Sequence, residues 1–254
     1  MELNKFYTIG HRGNETEDPE NTLSAFKRCV EYGIDIAEFD VQLSKDNIPI
    51  VFHDSSITKK TGFSGKVSDY ISSDLTKIDV INRRTNARDK IISLEQLFQY
   101  IQNTKIYLQI ELKGKNTAKP TIDLINKYYY EDRVYLSSFF KSELQTAKNY
   151  GPNIRRIFLV KSRDRYPWLL TESMFCKSIH KILMNLGCFG LSLHVTTVSD
   201  NILDYFKSKR YFIVAWGIKN NEQCSTILQF KNKINGFSTP DIQYVRNILN
   251  DTVN

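Results

Sequence analysis

Apolar and polar positions along this chain switch period repeatedly, from short apolar runs to helical spacing and back again. The run from Phe6 to Gly10 stops at a polar cluster beginning with His11 and predicts a short strand. Asn21 or Thr22 can then cap a helix in which Leu23, Phe26, Cys29 and Val30 recur at helical spacing, with Gly33 to end it. Ile34 to Leu43 predicts the second strand, and Pro49 to Phe52 a brief extended return that delivers His53. After residue 90 the alternation is regular. Helices are expected over Leu94–Ile101, Ala118–Tyr128 and Ser142–Tyr150, separated by strands at Ile106–Leu112 and Val134–Ser138. A strand at Ile157–Val160, a helix within Thr171–Asn185 and a strand at Phe189–His194 follow. Ser199 or Asp200 caps a helix through Phe206, then come a strand at Phe212–Trp216 and a helix at Glu222–Phe230. The strand Ile234–Phe237 and the helix Ile242–Leu249 close the series.

About eight strand–helix units is the count of a closed parallel barrel. The expected fold is therefore α/β, a (β/α)8 TIM barrel forming one domain over residues 1–254. A doubly wound open sheet is the competing layout, but no Gly-x-Gly-x-x-Gly follows the first strand. Residues from about 55 to 90 interrupt the pattern. Gly62, Gly65 and a Ser/Asp/Lys mixture there predict a surface excursion with one short helix near Ser72 to Ile78.

Composition changes this picture little. A length of 254 residues suits one barrel, and 41% hydrophobic with 25% charged residues describes an ordinary globular protein. The net charge of +7 comes from Lys and Arg dispersed between apolar positions, so no nucleic-acid footprint is expected. A cationic surface would still gather an anionic substrate. Cys29, Cys176, Cys188 and Cys224 lie too far apart in sequence to suggest a zinc site or redox pair. Free buried thiols fit a reducing compartment. Met1 to Phe6 lacks the layout of a signal peptide, and no run approaches the ~20 apolar residues of a membrane span. The expected location is the cytoplasm, with no integral membrane segment; nothing in the pattern sets an oligomeric state.

The chemistry lies in the polar clusters, each at or near the carboxyl end of an expected strand. In (β/α)8 enzymes that end carries the active site. His11 and Arg12 end the first strand, Glu38 and Asp40 lie on the second, and Glu111 and Lys113 close the third. Residues two apart on a strand share a face, so Glu38 and Asp40 point together, as do Gln109, Glu111 and Lys113. Three carboxylates round one cavity repel unless a cation sits among them. An all-oxygen donor set favours Mg²⁺ or Ca²⁺ over zinc. His11 and His53, each against a charged neighbour, can serve as general acid and base, and the Arg12 fork fits a phosphate. These are the parts for metal-assisted attack on a phosphate ester. A lone carboxylate could instead be a salt bridge, and His180, in a helix beside lysines, reads as a surface or core residue. His194 ends a strand on the active face and can be either; Trp216 is core or a wall for the apolar part of a ligand. The acidic stretch Asn14 to Asp18 can rim the site and favour a cationic head group, or lie solvated and turned away.

These residues resemble the glycerophosphodiester phosphodiesterase family. The family pattern runs His-Arg-Gly, Pro-Glu-Asn-Thr, Gly, Glu-x-Asp-Val, Lys-Asp and Val-x-His-Asp. This chain has His11-Arg12-Gly13, Pro19-Glu20-Asn21-Thr22, Gly33, Glu38-Phe39-Asp40-Val41, Lys45-Asp46 and Val51-Phe52-His53-Asp54. Thr61-Gly62 and Gly65, Ile110-Glu111-Leu112-Lys113, Ser138-Phe139 and Ala215-Trp216 extend the likeness, which runs from about Tyr7 to Asp241. The resemblance implies a TIM barrel that hydrolyses glycerophosphodiesters to sn-glycerol 3-phosphate and an alcohol. By the same resemblance His11 and His53 are the acid–base pair, and Glu38, Asp40 and Glu111 hold a divalent metal. Arg12 and Lys113 bind the phosphate, with Trp216 beside the small-molecule substrate. Departures fall at Asn14–Asp18, at Trp216-Gly217 where the family has Trp-Thr, and at the contracted Gly236–Asp241. They bear on substrate choice: a lysophospholipid, a surface-polymer phosphodiester or a non-catalytic binding barrel are the alternatives.

Overall fold

The computed structural model describes residues 1–251; the domain limit expected at residue 254 lies outside the described residues. Eight parallel strands close into a barrel: β1 (Tyr7–Gly10), β2 (Ile36–Leu43), β3 (Tyr107–Leu112), β4 (Val134–Ser138), β5 (Arg155–Val160), β6 (Gly190–His194), β7 (Phe212–Trp216) and β8 (Gly236–Thr239). Each pairs with the next, and β1 pairs with both β8 and β2, which completes the ring. The helices are α1 (Leu23–Glu31), α2 (Leu94–Ile101), α3 (Ala118–Lys127), α4 (Lys141–Tyr150), α5 (Glu172–Leu186), α6 (Asp200–Ser208), α7 (Asn221–Leu228) and α8 (Ile242–Asp251). One helix follows each strand, which is the TIM barrel the alternation predicts.

Local chemistry explains the boundaries. At the start of α2, the Ser93 hydroxyl accepts from the Gln96 amide while the Gln96 side chain accepts from the Ser93 amide, a capping box. Ser199 caps α6 by accepting from Ile202, and α5 ends at Gly187 in the left-handed region. The last strand departs from expectation: Ile234 and Asn235 precede it. The Asn235 backbone still donates to the Ile213 carbonyl and accepts from the Tyr7 amide, while its side chain accepts from the Ile213 amide and donates to the carbonyls of Leu3 and Lys5, tying the amino-terminal segment to the barrel. The strand instead runs on through the buried polar residues Ser238 and Thr239, which pair with Ile9 and Gly10 and which an apolar pattern does not announce.

The excursion is richer than the one short helix expected. It holds short helices at Thr58–Thr61 and Ser72–Leu75 and an antiparallel hairpin, Asp79–Ile81 with Arg88–Lys90. Its own core includes Phe52, Ile57, Val67, Leu75 and Val80. Asn82 donates to the carbonyls of Glu15 and Asp18, and Asp89 accepts from the Ser24 amide. The excursion therefore fixes the loop after β1.

The barrel interior is filled by Tyr7, Ile9, Ile36, Tyr135, Ile157, Phe212 and Val214. Larger apolar clusters fill the space between strands and helices. All four cysteines are buried and free. No helix among the described residues is long and apolar enough to cross a membrane. Phe212 packs against the rings of Tyr7, Tyr135 and Phe189 at centroid distances of 5.9, 6.1 and 5.2 Å. Phe212→Ala is expected to cost about 3–5 kcal/mol in urea unfolding through the cavity it leaves. A loss below about 1 kcal/mol would contradict its place at the centre of the barrel.

Candidate active site

The turn after β1 shapes one side of the site. Arg12 and Gly13 both have positive φ, 51° and 81°. A Cβ at Gly13 would lie 2.7 Å from the Ala25 Cβ, so only glycine lets α1 pack this close. The turn aims the Arg12 amide at Glu38 Oε2, 3.0 Å away. The Arg12 guanidinium donates to Glu20 Oε1 at 3.0 Å and lies 3.6 Å from Asp40 Oδ2. Lys60 also reaches Glu20, at 2.7 Å. Asn21, at φ 60°, donates through its side chain to Asp40 at 3.1 Å and accepts from the Asp40 amide.

Parallel register builds the other side. Glu38 on β2 lies opposite Gln109 on β3, and Asp40 opposite Glu111, so alternate residues of adjacent strands face one cavity. Oxygens of Glu38, Asp40 and Glu111 lie within 4.8 Å of one another. Lys113 Nζ stands 3.5 Å from both Asp40 and Glu111. Burial, reinforced by Asp40, pushes the Glu38 carboxyl up to about 7 and that of Glu111 up to about 8. Burial acts on Asp40 too, but Lys113, His53 and Arg12 outweigh it and hold its pKa below the usual carboxylate range. Two proton-holding carboxyls beside an ionised one, all hard oxygen donors, form a set that a divalent cation fits. The buried Arg12 Nε makes no hydrogen bond and faces Asp40 Oδ2 at 3.6 Å, so that donor is held only by the charge of Asp40.

Each histidine has its own carboxylate. His11 Nδ1 donates to Glu15 Oε1 at 3.0 Å, and His53 Nδ1 donates to Asp54 Oδ1 at 2.7 Å. A carboxylate only accepts, so both rings keep Nε2 for the cavity. Burial lowers the pKa of His11, but the hydrogen bond and charge of Glu15 outweigh it and leave it above the ordinary histidine value. Glu15 falls to about 2, since the His11 bond and charge outweigh its burial. His53 lies below the ordinary value because burial, with Arg12 and Lys113, outweighs Asp40 and Asp54. The Gln42 side-chain nitrogen lies 2.8–3.1 Å from the carbonyl oxygens of Phe52, His53 and Asp54, and clamps that segment to β2.

One cavity of about 460 Å³ is lined by His11, Arg12, Glu38, Asp40, His53, Glu111, Lys113 and Trp216, all eight residues singled out in the sequence. Glu15 of the acidic stretch and Phe139 of the Ser138-Phe139 pair also line it, as do Arg84 and Lys219, which the sequence does not mark as site residues. The acidic loop divides: Glu15 faces the cavity, while Arg28 draws Glu17 and Asp18 away, at 3.4 and 3.3 Å. His180 lies apart, its Nδ1 paired with the Tyr211 hydroxyl. His194 stacks edge-on against Trp216 at 4.7 Å, outside the lining of this cavity.

Residues 11–236 match the model of the Glycerophosphoryl diester phosphodiesterase family. A glycerophosphodiester phosphodiesterase of Caldanaerobacter subterraneus subsp. tengcongensis is 27% identical over 96% of this chain and 98% of its own length. The YhdW protein of Bacillus subtilis is 39% identical over 88% of this chain and 90% of its own. Among solved structures, an Oleispira antarctica phosphodiesterase in complex with the product sn-glycerol-3-phosphate superposes with a TM-score of 0.82. It is 22% identical, and the match covers 98% of this chain and 97% of that one.

If Glu15 holds the proton on His11, Glu15→Gln must move the His11 titration, followed by imidazole NMR, down towards the ordinary histidine value. An unmoved titration would show that the Glu15 carboxylate does not govern this ring.

Proposed function

The chain belongs to the glycerophosphoryl diester phosphodiesterase family and is an enzyme of that class, and we propose that it performs metal-dependent hydrolysis of glycerophosphodiesters by histidine acid–base catalysis. The observation that carries the reading is one cavity holding two histidines, each tied to its own carboxylate, beside three clustered acids. The product held by the Oleispira antarctica neighbour supports sn-glycerol 3-phosphate as the product here.

Glu38, Asp40 and Glu111 would hold one divalent cation, Mg²⁺ or Ca²⁺, whose chemistry is to polarise a phosphoryl oxygen. Arg12 and Lys113 stay charged: burial opposes the proton on each, but the surrounding carboxylates, Asp40 with Glu20 for Arg12 and Asp40 with Glu111 for Lys113, together outweigh it and raise both pKa values. They bring positive charge to the phosphate oxygens as charge grows there. Trp216, fixed by donating Nε1–H to the Val160 carbonyl at 3.1 Å, walls the carbon skeleton together with Phe139. His53, the less basic imidazole, takes the proton from the attacking oxygen as its bond to phosphorus forms. His11, kept protonated by Glu15, gives its proton to the departing alcohol as the second P–O bond breaks. The net reaction consumes one water.

Two measurements test this. Activity is expected to vanish on exhaustive chelation and return with Mg²⁺ or Ca²⁺, while Glu38→Ala and Asp40→Ala lose metal binding yet remain folded. Full turnover in metal-free enzyme would exclude the cation. His11→Ala and His53→Ala should each lower kcat by roughly 10²–10⁴-fold. In the wild type, kcat/KM should rise with pH as His53 loses its proton, below the ordinary histidine value, and fall as His11 loses its own above it. A flat profile between those limbs and beyond would remove the pair from the mechanism.

A further inference from the structure

Beside the catalytic cavity lies a second basin of about 640 Å³, and the two share Phe139 and Trp216 as walls. The basin lies at the carboxyl ends of β4, β5, β6 and β7, so it belongs to the same face of the barrel as the catalytic cavity. Lys141, Lys161 and Arg165 line it, together with Tyr166 and His194, and no aspartate or glutamate does. Among the described residues, neither Lys141 nor Lys161 has a carboxylate within 4.0 Å; Lys161 lies 6.0 Å from the Phe139 ring. Arg165 has the exposed Asp164 at 3.9 Å, a contact worth little in water.

The residue after Trp216 helps build the basin. A Cβ at Gly217 would meet the His194 ring at 2.7 Å, and φ there is +84°. Glycine thus lets the imidazole lie against Trp216 on the basin side. The opposite rim is electrically spent: Glu15 is engaged by His11, and Glu17 and Asp18 by Arg28. Unpaired charge on the basin is therefore positive, and Arg84 and Lys219, which line the catalytic cavity, add to it on the same face. Substrate halves with a cationic head would meet it unfavourably.

We propose that this basin is a subsite for a second anionic group, so that the enzyme prefers diesters in which one alcohol half itself carries a phosphate or carboxylate. The proposal rests on the phosphodiesterase reading above. Such a group could come from a small diester bearing a terminal phosphomonoester or from the next phosphate of a glycerol phosphate polymer; the chemistry met by Lys141, Lys161 and Arg165 is the same.

The test compares kcat/KM of the metal-loaded enzyme on four substrates at low and physiological salt. They are glycerophosphocholine, glycerophosphoglycerol, glycerophosphoglycerol bearing a terminal phosphate, and a short poly(glycerol phosphate). Wild type is expected to favour the phosphate-bearing diester, with a preference that shrinks as salt rises. In Lys161→Ala/Arg165→Ala, the ratio of that substrate to glycerophosphoglycerol should fall about ten-fold. Lys161→Glu should reduce it further. Preference for the small phosphate-bearing diester alone assigns the free source, and preference for the polymer as well assigns the chain; both support the subsite. Wild type that prefers neither anionic substrate to glycerophosphoglycerol, or variants that leave the ratio unchanged, would overturn the subsite and leave the proposed function standing. Cleavage of none of the four would overturn the function itself.

Discussion

Three carboxyl groups packed within 4.8 Å, largely shut off from water, set the terms for everything around them. At an effective dielectric of roughly 20, each ionised pair at that spacing repels by about 3–4 kcal/mol. The chain answers this with partial neutralisation. Asp40 stays ionised because Lys113, His53, Arg12 and the Asn21 amide surround it. Glu38 and Glu111 meet less positive charge, and burial beside Asp40 leaves both holding their protons towards neutrality. The left-handed turns at Arg12 and Asn21 exist to aim those counter-groups. A divalent cation would complete what they begin.

The barrel supplies the geometry cheaply. Parallel pairing sets Asp40 opposite Glu111, and the period of two along each strand lifts Lys113 one step above Glu111 on the same side. The histidines come from outside the second and third strands: His11 from the end of β1, His53 from the segment returning after β2. Each is oriented locally. Asn82 of the excursion holds the carbonyls of the loop that carries Glu15, and Gln42 on β2 clamps the carbonyls of His53 and Asp54. Such partners fix ring orientation and basicity, so the proton-transfer groups are pre-set before substrate arrives.

Much of this was legible in the sequence, because strands that end in charged residues and helices with clear caps carry local signals. Val134–Ser138, Phe212–Trp216 and Leu94–Ile101 fall where the pattern puts them, and the eight marked site residues converge on one cavity. Local pattern fails where tertiary contact decides. Glu15 sits in an acidic stretch that reads equally as site rim and as solvated surface, and only the packing of the excursion turns it inward while Glu17 and Asp18 turn out. The hairpin at residues 79–90 is short and polar, without strand periodicity to announce it. The basin beside Trp216 draws its cations from the start of α4 and from the segment after β5, so no single segment displays it. The closing strand runs past its apolar stretch because Ser238 and Thr239, polar yet buried, pair with β1.

The most direct measurement is a calorimetric titration of the metal-free protein with Mg²⁺ and with Ca²⁺ near pH 7, repeated in two buffers of different ionisation enthalpy. If the three carboxyls share a cation, binding to one site must expel protons held by Glu38 and Glu111, so the observed heat will differ between buffers by the equivalent of about one proton. Binding heat that is the same in both buffers, or no binding of either ion, would contradict the account.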